Sequence, residues 1–133
     1  MTGGWTSDEL QRIGEATELR IQTARADGTL RNPIPIWHTH VGDAIYIRSA
    51  HGPDNGWFRR AKTVGKGRIQ AGGVERDVRF EQAGPELSDD ITASLHAKYD
   101  RYGSGPVGAI TGADVLETTL RVNPLSDEGR ADT

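Results

Sequence analysis

Two histidines, His38 and His40, are separated by one residue in a segment whose composition is typical of a β-strand. On a strand, residues two apart point to the same side, so both imidazoles are predicted to share the face of Ile34 and Ile36. Because an imidazole titrates near neutral pH, the pair could transfer protons in a pocket. Structural histidines that form hydrogen bonds within the fold are the alternative. The chain has no cysteine and no H-E-x-x-H motif, so we predict no metal site.

The second feature is a run of basic residues between positions 56 and 68 that contains no aspartate or glutamate. Its members are Arg59, Arg60, Lys62, Lys66 and Arg68. The whole chain has 16 Lys and Arg against 19 Asp and Glu, so this excess is local. The run follows a turn-rich loop, residues 51–56, where we expect functional groups to gather. A helix start next to basic side chains favours a phosphate or carboxylate ligand, whereas a solvated helix face is the alternative interpretation.

Four aromatic residues lie near these segments and could stack on a planar ligand. They are Trp37, Tyr46, Trp57 and Phe58. Large aromatic side chains in a small barrel are also common in the core or in a dimer interface, and both interpretations stay open. Neither a G-x-S-x-G nucleophile motif nor a P-loop occurs, which argues against a serine hydrolase triad and against nucleoside triphosphate hydrolysis.

The elements that position these residues are predicted from hydrophobic periodicity and turn signals. Thr6 and Glu9 have the spacing of a capping box, and the helix that they open is expected to end near Gly14. Further helices are predicted over Trp57–Val64 and from a Ser88 cap to Gly103, the last with Ile91, Leu95, Tyr99 and Tyr102 as its buried stripe. Six strands are predicted, namely Glu18 to the turn at Asp27, Ile34–Val41, Ala44–Ser49, Gly67–Ala71, Val74–Gln82 and Val115–Val122. Short strands with tight turns and no βαβ rhythm indicate a mainly β (α+β) fold, an antiparallel barrel with flanking short helices.

Length and composition limit the class of protein. A chain of 133 residues is the size of one domain, which we assign to residues 1–125, with residues 126–133 as a flexible tail. A formal charge of −3 argues against nucleic acid or an anionic membrane as the partner. Because no apolar run of spanning length and no apolar leader is present, we expect a cytoplasmic protein.

Several segments in this order resemble one bacterial family. They are residues 23–37, Tyr46-Ile47-Arg48-Ser49, Gly56-Trp57-Phe58-Arg59-Arg60, residues 67–74, Ala97-Lys98-Tyr99 and residues 118–124. Together they are similar to the domain of unknown function 2255 family, a branch that looks like the split-barrel proteins that bind flavins. The resemblance extends from about Trp5 to Pro124 and implies a six-stranded antiparallel split β-barrel.

The same resemblance implies a site and a cofactor. Two segments that line the coenzyme in deazaflavin-dependent relatives correspond here to residues 25–31, with Asp27 in place of serine, and to residues 57–61, with Arg60 in place of asparagine. The implied coenzyme-binding residues are Arg25, Arg31, Arg48, Ser49, Trp57, Arg59, Arg60 and Lys62, with FMN or a deazaflavin as the coenzyme. The implied function is an oxidoreductase that acts on a small organic molecule at the interface of a homodimer. An isomerase or cyclase without a cofactor that uses His38 or His40, and a noncatalytic binding protein, are the alternatives.

Overall fold

The computed structural model describes residues 5–49, 56–112, 116 and 118–125. These residues form one antiparallel sheet of seven strands in the order β2-β1-β5-β6-β7-β4-β3, which curls into a nearly closed barrel. The strands are β1 Leu19–Thr23, β2 Ile34–Ile36, β3 His38–Val41, β4 Ala44–Ile47, β5 Lys66–Ala71, β6 Val74–Gln82 and β7 Leu120–Pro124. The helices are α1 Ser7–Glu15, α2 Gly56–Val64, α3 Ser88–Tyr99 and α4 Ser104–Thr111, with 3₁₀ turns at Pro85–Leu87 and Asp100–Tyr102. The predicted barrel with short flanking helices is confirmed.

The strand predicted over Ile34–Val41 is divided at Trp37, which accounts for seven strands where six were predicted. Its first half pairs with β1, where Ile34 lies opposite Ile21. Its second half pairs with β4, where His38 lies opposite Ile47. The two halves thus occupy opposite edges of the same sheet, and the bend between them brings these edges together. The cross-strand partners of Ile34 and Ile36 are Ile21 and Leu19, and those of the two histidines are Ile47 and Ile45. All four partners belong to the larger core group, so the histidines lie on the barrel-facing side with Ile34 and Ile36, as expected.

Two groups of apolar side chains form the core. The larger group fills the barrel and includes α1 and α2 through Ile13, Phe58 and Ala61, which are at most 2% exposed. The smaller group lies on the other side of β4, where α3 and α4 cover Ala44 and Tyr46. Both faces of β4 are therefore buried, and each of its four residues is inaccessible to solvent. Among the described residues, no helix has the length and apolar character needed to span a bilayer.

The first helix forms as its sequence predicts. The Thr6 hydroxyl accepts a hydrogen bond from the Glu9 amide at 3.1 Å, and the Glu9 carboxylate accepts one from the Thr6 amide at 2.9 Å. These reciprocal bonds satisfy two amides that would otherwise lack partners at the helix start. The capping box is thus confirmed.

The C-terminal half differs from its prediction in four places. Ser88 is the first residue of α3 rather than its cap, since a 3₁₀ turn leads directly into the helix. Tyr102 lies beyond α3 and is 44% exposed, so it does not belong to the buried stripe. The glycine-rich segment after Gly103 forms α4, which buries Val107 and Ile110. The last strand is Leu120–Pro124 rather than Val115–Val122, and residues 113–115 and 117 lie outside the described residues.

Candidate functional site

Most of the residues predicted to bind a coenzyme lie at one end of the barrel, where β1 finishes and β5 begins. Two backbone hydrogen bonds fix this arrangement: the Ala24 amide donates to the Lys66 carbonyl, and the Arg31 amide donates to the Thr23 carbonyl, both at 3.0 Å. Helix α2 leads into β5 at the same end and packs against β1 and β6. We call this region the basic end, defined by Arg25, Arg31, Arg59, Arg60, Lys62 and Lys66. Of the loop expected to carry functional groups, residues 51–56, only Gly56 is described, as the first residue of α2.

Arg31 and Arg60 are the two members of the basic end with an unsatisfied polar atom. Each side chain is partly buried, and in each the Nε atom is inaccessible and has no hydrogen-bond partner among the described residues. A buried N–H without an acceptor costs about 1–3 kcal/mol. An anionic ligand could reach the enclosed Nε atoms only if the groups that cover them moved, whereas the remaining N–H groups of these partly buried side chains suit a phosphate or carboxylate.

The other members of the basic end are more exposed. Arg25 donates to the Thr29 hydroxyl and to the Leu30 carbonyl within its own hairpin. Arg59 is exposed, and Lys62 lies 5.6 Å from the centre of the Phe58 ring. These cations add positive potential at the barrel end.

Arg68, the last residue of the predicted basic run, is paired with a carboxylate. Its Nε atom donates to Asp77 on the neighbouring strand at 2.8 Å, and this hydrogen bond raises the pKa of Arg68 above its usual value. Sequence reasoning counted Arg68 as an unpaired cation because its partner comes from β6, nine residues further along the chain. The local excess of positive charge is therefore smaller than the sequence suggested.

The aromatic residues of this region belong to the core. Trp57 is 5% exposed and meets Phe58 edge to face, with ring centres 6.1 Å apart. Tyr46 is 3% exposed within the second core group. The flat faces of these rings are used in packing, so stacking on a ligand would require movement of α2 or of the loop before it.

Arg48 is buried on the α3 and α4 side of β4, away from the basic end. Its guanidinium donates to Thr119 Oγ1 at 2.8 Å, to Thr92 Oγ1 at 2.9 Å, to the Ile110 carbonyl at 3.1 Å and to both Ser88 oxygens at 3.2 and 3.4 Å. Five N–H groups thus meet five neutral oxygens. Burial lowers the pKa of Arg48, yet an arginine stays charged in proteins. In this arrangement, Arg48 joins α3, α4 and the chain before β7 to the end of β4.

Ser49 follows Arg48 and is fully buried. Its amide donates to Thr118 Oγ1 at 3.0 Å. Together the two residues anchor the exit of β4 to the segment before β7. Among the contacts described, none joins Arg48 or Ser49 to Arg31 or Arg60.

His38 is fully buried where the bent strand meets α1 and α3. Its Nε2 atom lies 2.5 Å from the Ile13 carbonyl, which can only accept, so this nitrogen carries the proton. Its Nδ1 atom is buried and has no partner among the described residues. Burial, and to a smaller extent the charge of Lys98, lower the pKa of His38 to about 4. The imidazole is therefore neutral at physiological pH.

Lys98 and Tyr99 hold the backbone of His38 from α3. The Lys98 Nζ atom donates to the His38 carbonyl at 3.1 Å, and the Tyr99 hydroxyl accepts from the His38 amide at 3.2 Å. The same hydroxyl lies 2.7 Å from the Thr17 carbonyl, to which it donates. Burial lowers the pKa of Lys98 to about 8 and raises the pKa of Tyr99 to about 12. Sequence reasoning missed Lys98, since its surroundings come from a strand sixty residues away.

His40 shares the face of His38 but is only partly buried. Its Nε2 atom lies 2.7 Å from the Gly42 carbonyl and acts as the donor. Its ring packs so closely on Gly14 that a β-carbon added there would lie 3.2 Å from Nδ1. Within the described ranges, no three His, Asp or Glu side chains are close enough to hold a metal ion together.

Two surface cavities lie away from the basic end. The larger, of about 420 Å³, surrounds the turn between β5 and β6 and is lined by Glu18, Arg20, Gln70, Ala71, Gly72, Gly73, Val74 and Glu75. The smaller, of about 170 Å³, is bordered by Tyr46, Glu81, Gln82, Ala83, Gly84, Glu86, Leu87 and Arg121. Neither is lined by a residue predicted to be catalytic or to bind a coenzyme.

Comparisons with known proteins agree with this architecture. Residues 9–122 match the model of the family described as "Uncharacterized protein conserved in bacteria (DUF2255)". A search of curated proteins found no sequence match.

Three solved structures share the fold at low sequence identity. A FAD-binding protein from Mesorhizobium loti is 15% identical with a TM-score of 0.58, and the alignment covers 95% of this chain and 94% of that one. An F420 reductase is 16% identical with a TM-score of 0.56, covering 87% and 92%. The heme storage protein HutZ from Vibrio cholerae is 14% identical with a TM-score of 0.63, covering 87% of each chain. These likenesses establish the split-barrel fold.

Proposed function

Because this chain belongs to the DUF2255 family and has a split-barrel fold, we propose that it binds a flavin-type coenzyme at the basic end. The observation that carries the proposal is the pair of buried Nε atoms on Arg31 and Arg60, for which the described part of the chain supplies no acceptor. Two structures of the same fold are described as a FAD-binding protein and an F420 reductase, which supports a flavin or a deazaflavin as the ligand class. A family relationship alone would not select this end of the barrel.

Arg31 and Arg60 would hold an anionic group of the coenzyme, with Arg59, Lys62 and Arg25 adding positive charge around it. Charged hydrogen bonds of this kind contribute about 1.5–3 kcal/mol each. Arg48 and Ser49 would act indirectly, since their contacts fix the exit of β4. When bound, a flavin or deazaflavin supplies hydride transfer, and the protein supplies binding and orientation. We further propose that the reaction is an oxidation or reduction of a small organic molecule.

A proton transfer by His38 has less support from the geometry. The imidazole is fully buried, and its protonated nitrogen is already bound to the Ile13 carbonyl. His40 is the more accessible of the two and remains the candidate for an enzyme without a cofactor. Turnover by the apoprotein that is lost in His40→Gln, while His38→Gln retains it, would favour that alternative.

The test compares FMN with riboflavin, which lacks the phosphate. Binding is measured by quenching of flavin fluorescence on titration with the full chain, and the deazaflavin coenzyme is titrated in parallel. We expect FMN to bind more tightly than riboflavin, and Arg31→Gln and Arg60→Gln each to weaken FMN binding by about 10- to 100-fold. Riboflavin binding should change little, because it offers no phosphate to these residues.

Arg12→Gln is the matched control, since Arg12 is an exposed arginine of α1 paired with Asp8 and adjacent to the turn at the other end of β5. It should leave the affinity for FMN unchanged. Equal affinity for FMN and riboflavin, or unchanged binding in both arginine variants, would place any flavin elsewhere. Failure of every flavin and deazaflavin to bind would contradict the proposal as a whole.

A further inference from the structure

The side chain of Lys98 lies in surroundings unlike those of the other two lysines. Lys62 and Lys66 are exposed, whereas Lys98 is partly buried between α3 and the bent strand. Its Nζ atom is 5.1 Å from the centre of the Tyr99 ring. The Tyr99 ring also stacks on Trp37, with the ring centres 4.1 Å apart. On its other side is the imidazole of His38, whose Nε2 atom is 3.3 Å away. An aromatic ring and a neutral imidazole therefore replace much of the water around this amine.

No carboxylate among the described residues forms an ion pair with Lys98. Asp100, the acid nearest to Lys98 along the chain, is paired with His96. Glu18, an exposed residue before β1, acts electrostatically on Tyr99. Arg101, one turn further along, is exposed and lies over the ring of Tyr102. Burial without a counterion destabilises an ammonium group and favours the neutral amine.

The hydrogen bonds leave the neutral amine free to react. One N–H of Lys98 is donated to the His38 carbonyl at 3.1 Å. The imidazole nitrogen at 3.3 Å is itself protonated towards Ile13 and so does not accept a proton from Lys98. A neutral amine has two N–H groups and a lone pair, so one N–H can keep the backbone contact while the lone pair attacks an electrophile.

From these contacts, we propose that Lys98 is a covalent attachment site for small aldehydes, which it binds as an imine. The lone pair of Nζ adds to the aldehyde carbon, and the carbonyl oxygen takes up a proton to give a carbinolamine. The first amine proton is thus transferred to the carbonyl oxygen. When the second amine proton follows, the oxygen leaves as water and a carbon–nitrogen double bond remains. The step needs neither an oxidant nor a reductant, and it does not depend on coenzyme binding at the basic end.

The experiment is competitive reductive alkylation of the full chain with a limiting amount of propionaldehyde and cyanoborohydride. The reductant traps each imine as a stable secondary amine, and peptide mass spectrometry after Asp-N digestion reports the rate at each lysine. The pKa of Lys98 is about 8, so about 10% of this amine is neutral at pH 7, against less than about 0.1% for an ordinary lysine. We expect Lys98 to be labelled at least about 5-fold faster than Lys62 and Lys66 at pH 7, despite its partial burial. Its advantage should disappear above pH 10.

Substitutions at the exposed Arg101 test whether a carboxylate supplied near Lys98 restores the charged form of its amine. Arg101→Glu places a carboxylate one turn from Lys98 and should slow labelling at pH 7 by about 2- to 4-fold, whereas the neutral Arg101→Gln should have a smaller effect. Labelling of Lys66 serves as the internal standard in both variants. If Lys98 is labelled no faster than the exposed lysines at pH 7, or is not labelled at all, the assignment is overturned.

Discussion

At the scale of single residues, the chemistry of the bent strand is set by burial rather than by spacing. His38 and His40 differ by two positions, yet one is fully enclosed and the other lies at the edge of α1. Their shared face was predictable from strand alternation once the strand itself was recognised. The burial of only one of them was not, because the covering groups Ile13 and Lys98 come from other elements.

His38 should make the stability of the protein depend on pH. Its folded pKa is about 4, below the usual value of 6.5, so the unfolded chain binds the proton more tightly. The free energy of unfolding therefore has its full value, as far as His38 is concerned, above pH 6.5, and it decreases as the pH falls towards 4. A difference of this size corresponds to roughly 2–3 kcal/mol between pH 7.5 and pH 4.5.

Urea unfolding followed by tryptophan fluorescence measures this contribution. The loss of unfolding free energy between pH 7.5 and pH 4.5 should be smaller in His38→Gln than in the natural protein by that amount. His40→Gln makes the same change on the same face and should retain the full loss. Equal losses in all three proteins would show that His38 is not held in its neutral form.

At the scale of elements, Arg48 connects parts that are far apart in the sequence. Its guanidinium meets oxygens from Ser88 and Thr92 at the start of α3, from Ile110 near the end of α4, and from Thr119. These contacts define where both helices lie against β4. The resemblance to flavin-binding relatives assigned Arg48 to the coenzyme, whereas its contacts indicate that it organises the elements around β4.

Arg48→Lys should therefore lower stability more than it lowers ligand affinity. A lysine keeps the charge but offers one compact donor group in place of the five fixed N–H groups, so several buried oxygens lose their partners. We expect the free energy of unfolding to fall by about 2–4 kcal/mol. Arg59→Lys, on the exposed face of α2, should change it by less than about 0.5 kcal/mol. Denaturant titration of both variants checks this, and equal stability would contradict the connecting role.

The elements that could be predicted are those whose signals are local. The capping box of α1, the hairpin between β5 and β6 and the amphipathic α2 all formed where the sequence placed them. The bend at Trp37 was not predictable from periodicity, because the chain remains extended on both sides and changes only its partner strand. Helix α4 was missed since its glycines are unfavourable in helices, and the burial of Val107 and Ile110 overrides that preference.

The residues of the candidate site likewise include some that local sequence signals predict and some that they do not. The run of basic residues predicted the α2 part of the basic end, and the family resemblance added Arg25 and Arg31. Neither signal could separate Arg68, which pairs with Asp77 across the sheet, from Arg60, whose Nε atom has no partner among the described residues. The difference depends on strand register and helix placement, which are properties of the tertiary structure. The environment of Lys98 could not be predicted from the sequence of α3 for the same reason, since its contacts come from His38 on β3.

At the scale of the whole molecule, the large aromatic side chains give no reason to expect a dimer. Trp57 and Phe58 are buried within one chain, and Trp37 stacks on Tyr99 of the same chain, so these rings do not need a partner subunit. Among the described residues, no helix covers the outer face of β1, β5 and β6, since α3 and α4 pack on the outer face of the sheet at β3 and β4.

This outer face is polar and has charges arranged along the strands. Lys66 lies opposite Arg79 at one end, Arg68 is paired with Asp77 in the middle, and Glu75 lies opposite Gln70 at the other end. A two-fold axis that lies in the plane of the interface, perpendicular to the strands, would place Lys66 and Arg79 of one copy over Glu75 of the other. We therefore propose that any dimer forms through this face and is held mainly by electrostatic contacts.

Such a dimer should dissociate as salt is added, because exposed charges are screened over about 8–10 Å at ionic strengths near 0.1 M. Light scattering at micromolar concentration and low salt should give twice the chain mass of 14.4 kDa, falling towards the single-chain value at 0.5 M sodium chloride. Arg79→Glu should produce the monomer even at low salt, whereas Arg101→Glu, the same charge reversal beyond α3, should leave the dimer intact. A monomeric mass for the natural protein at low salt would exclude the shared face. A dimer that resists both salt and Arg79→Glu would mean that the subunits meet through another surface.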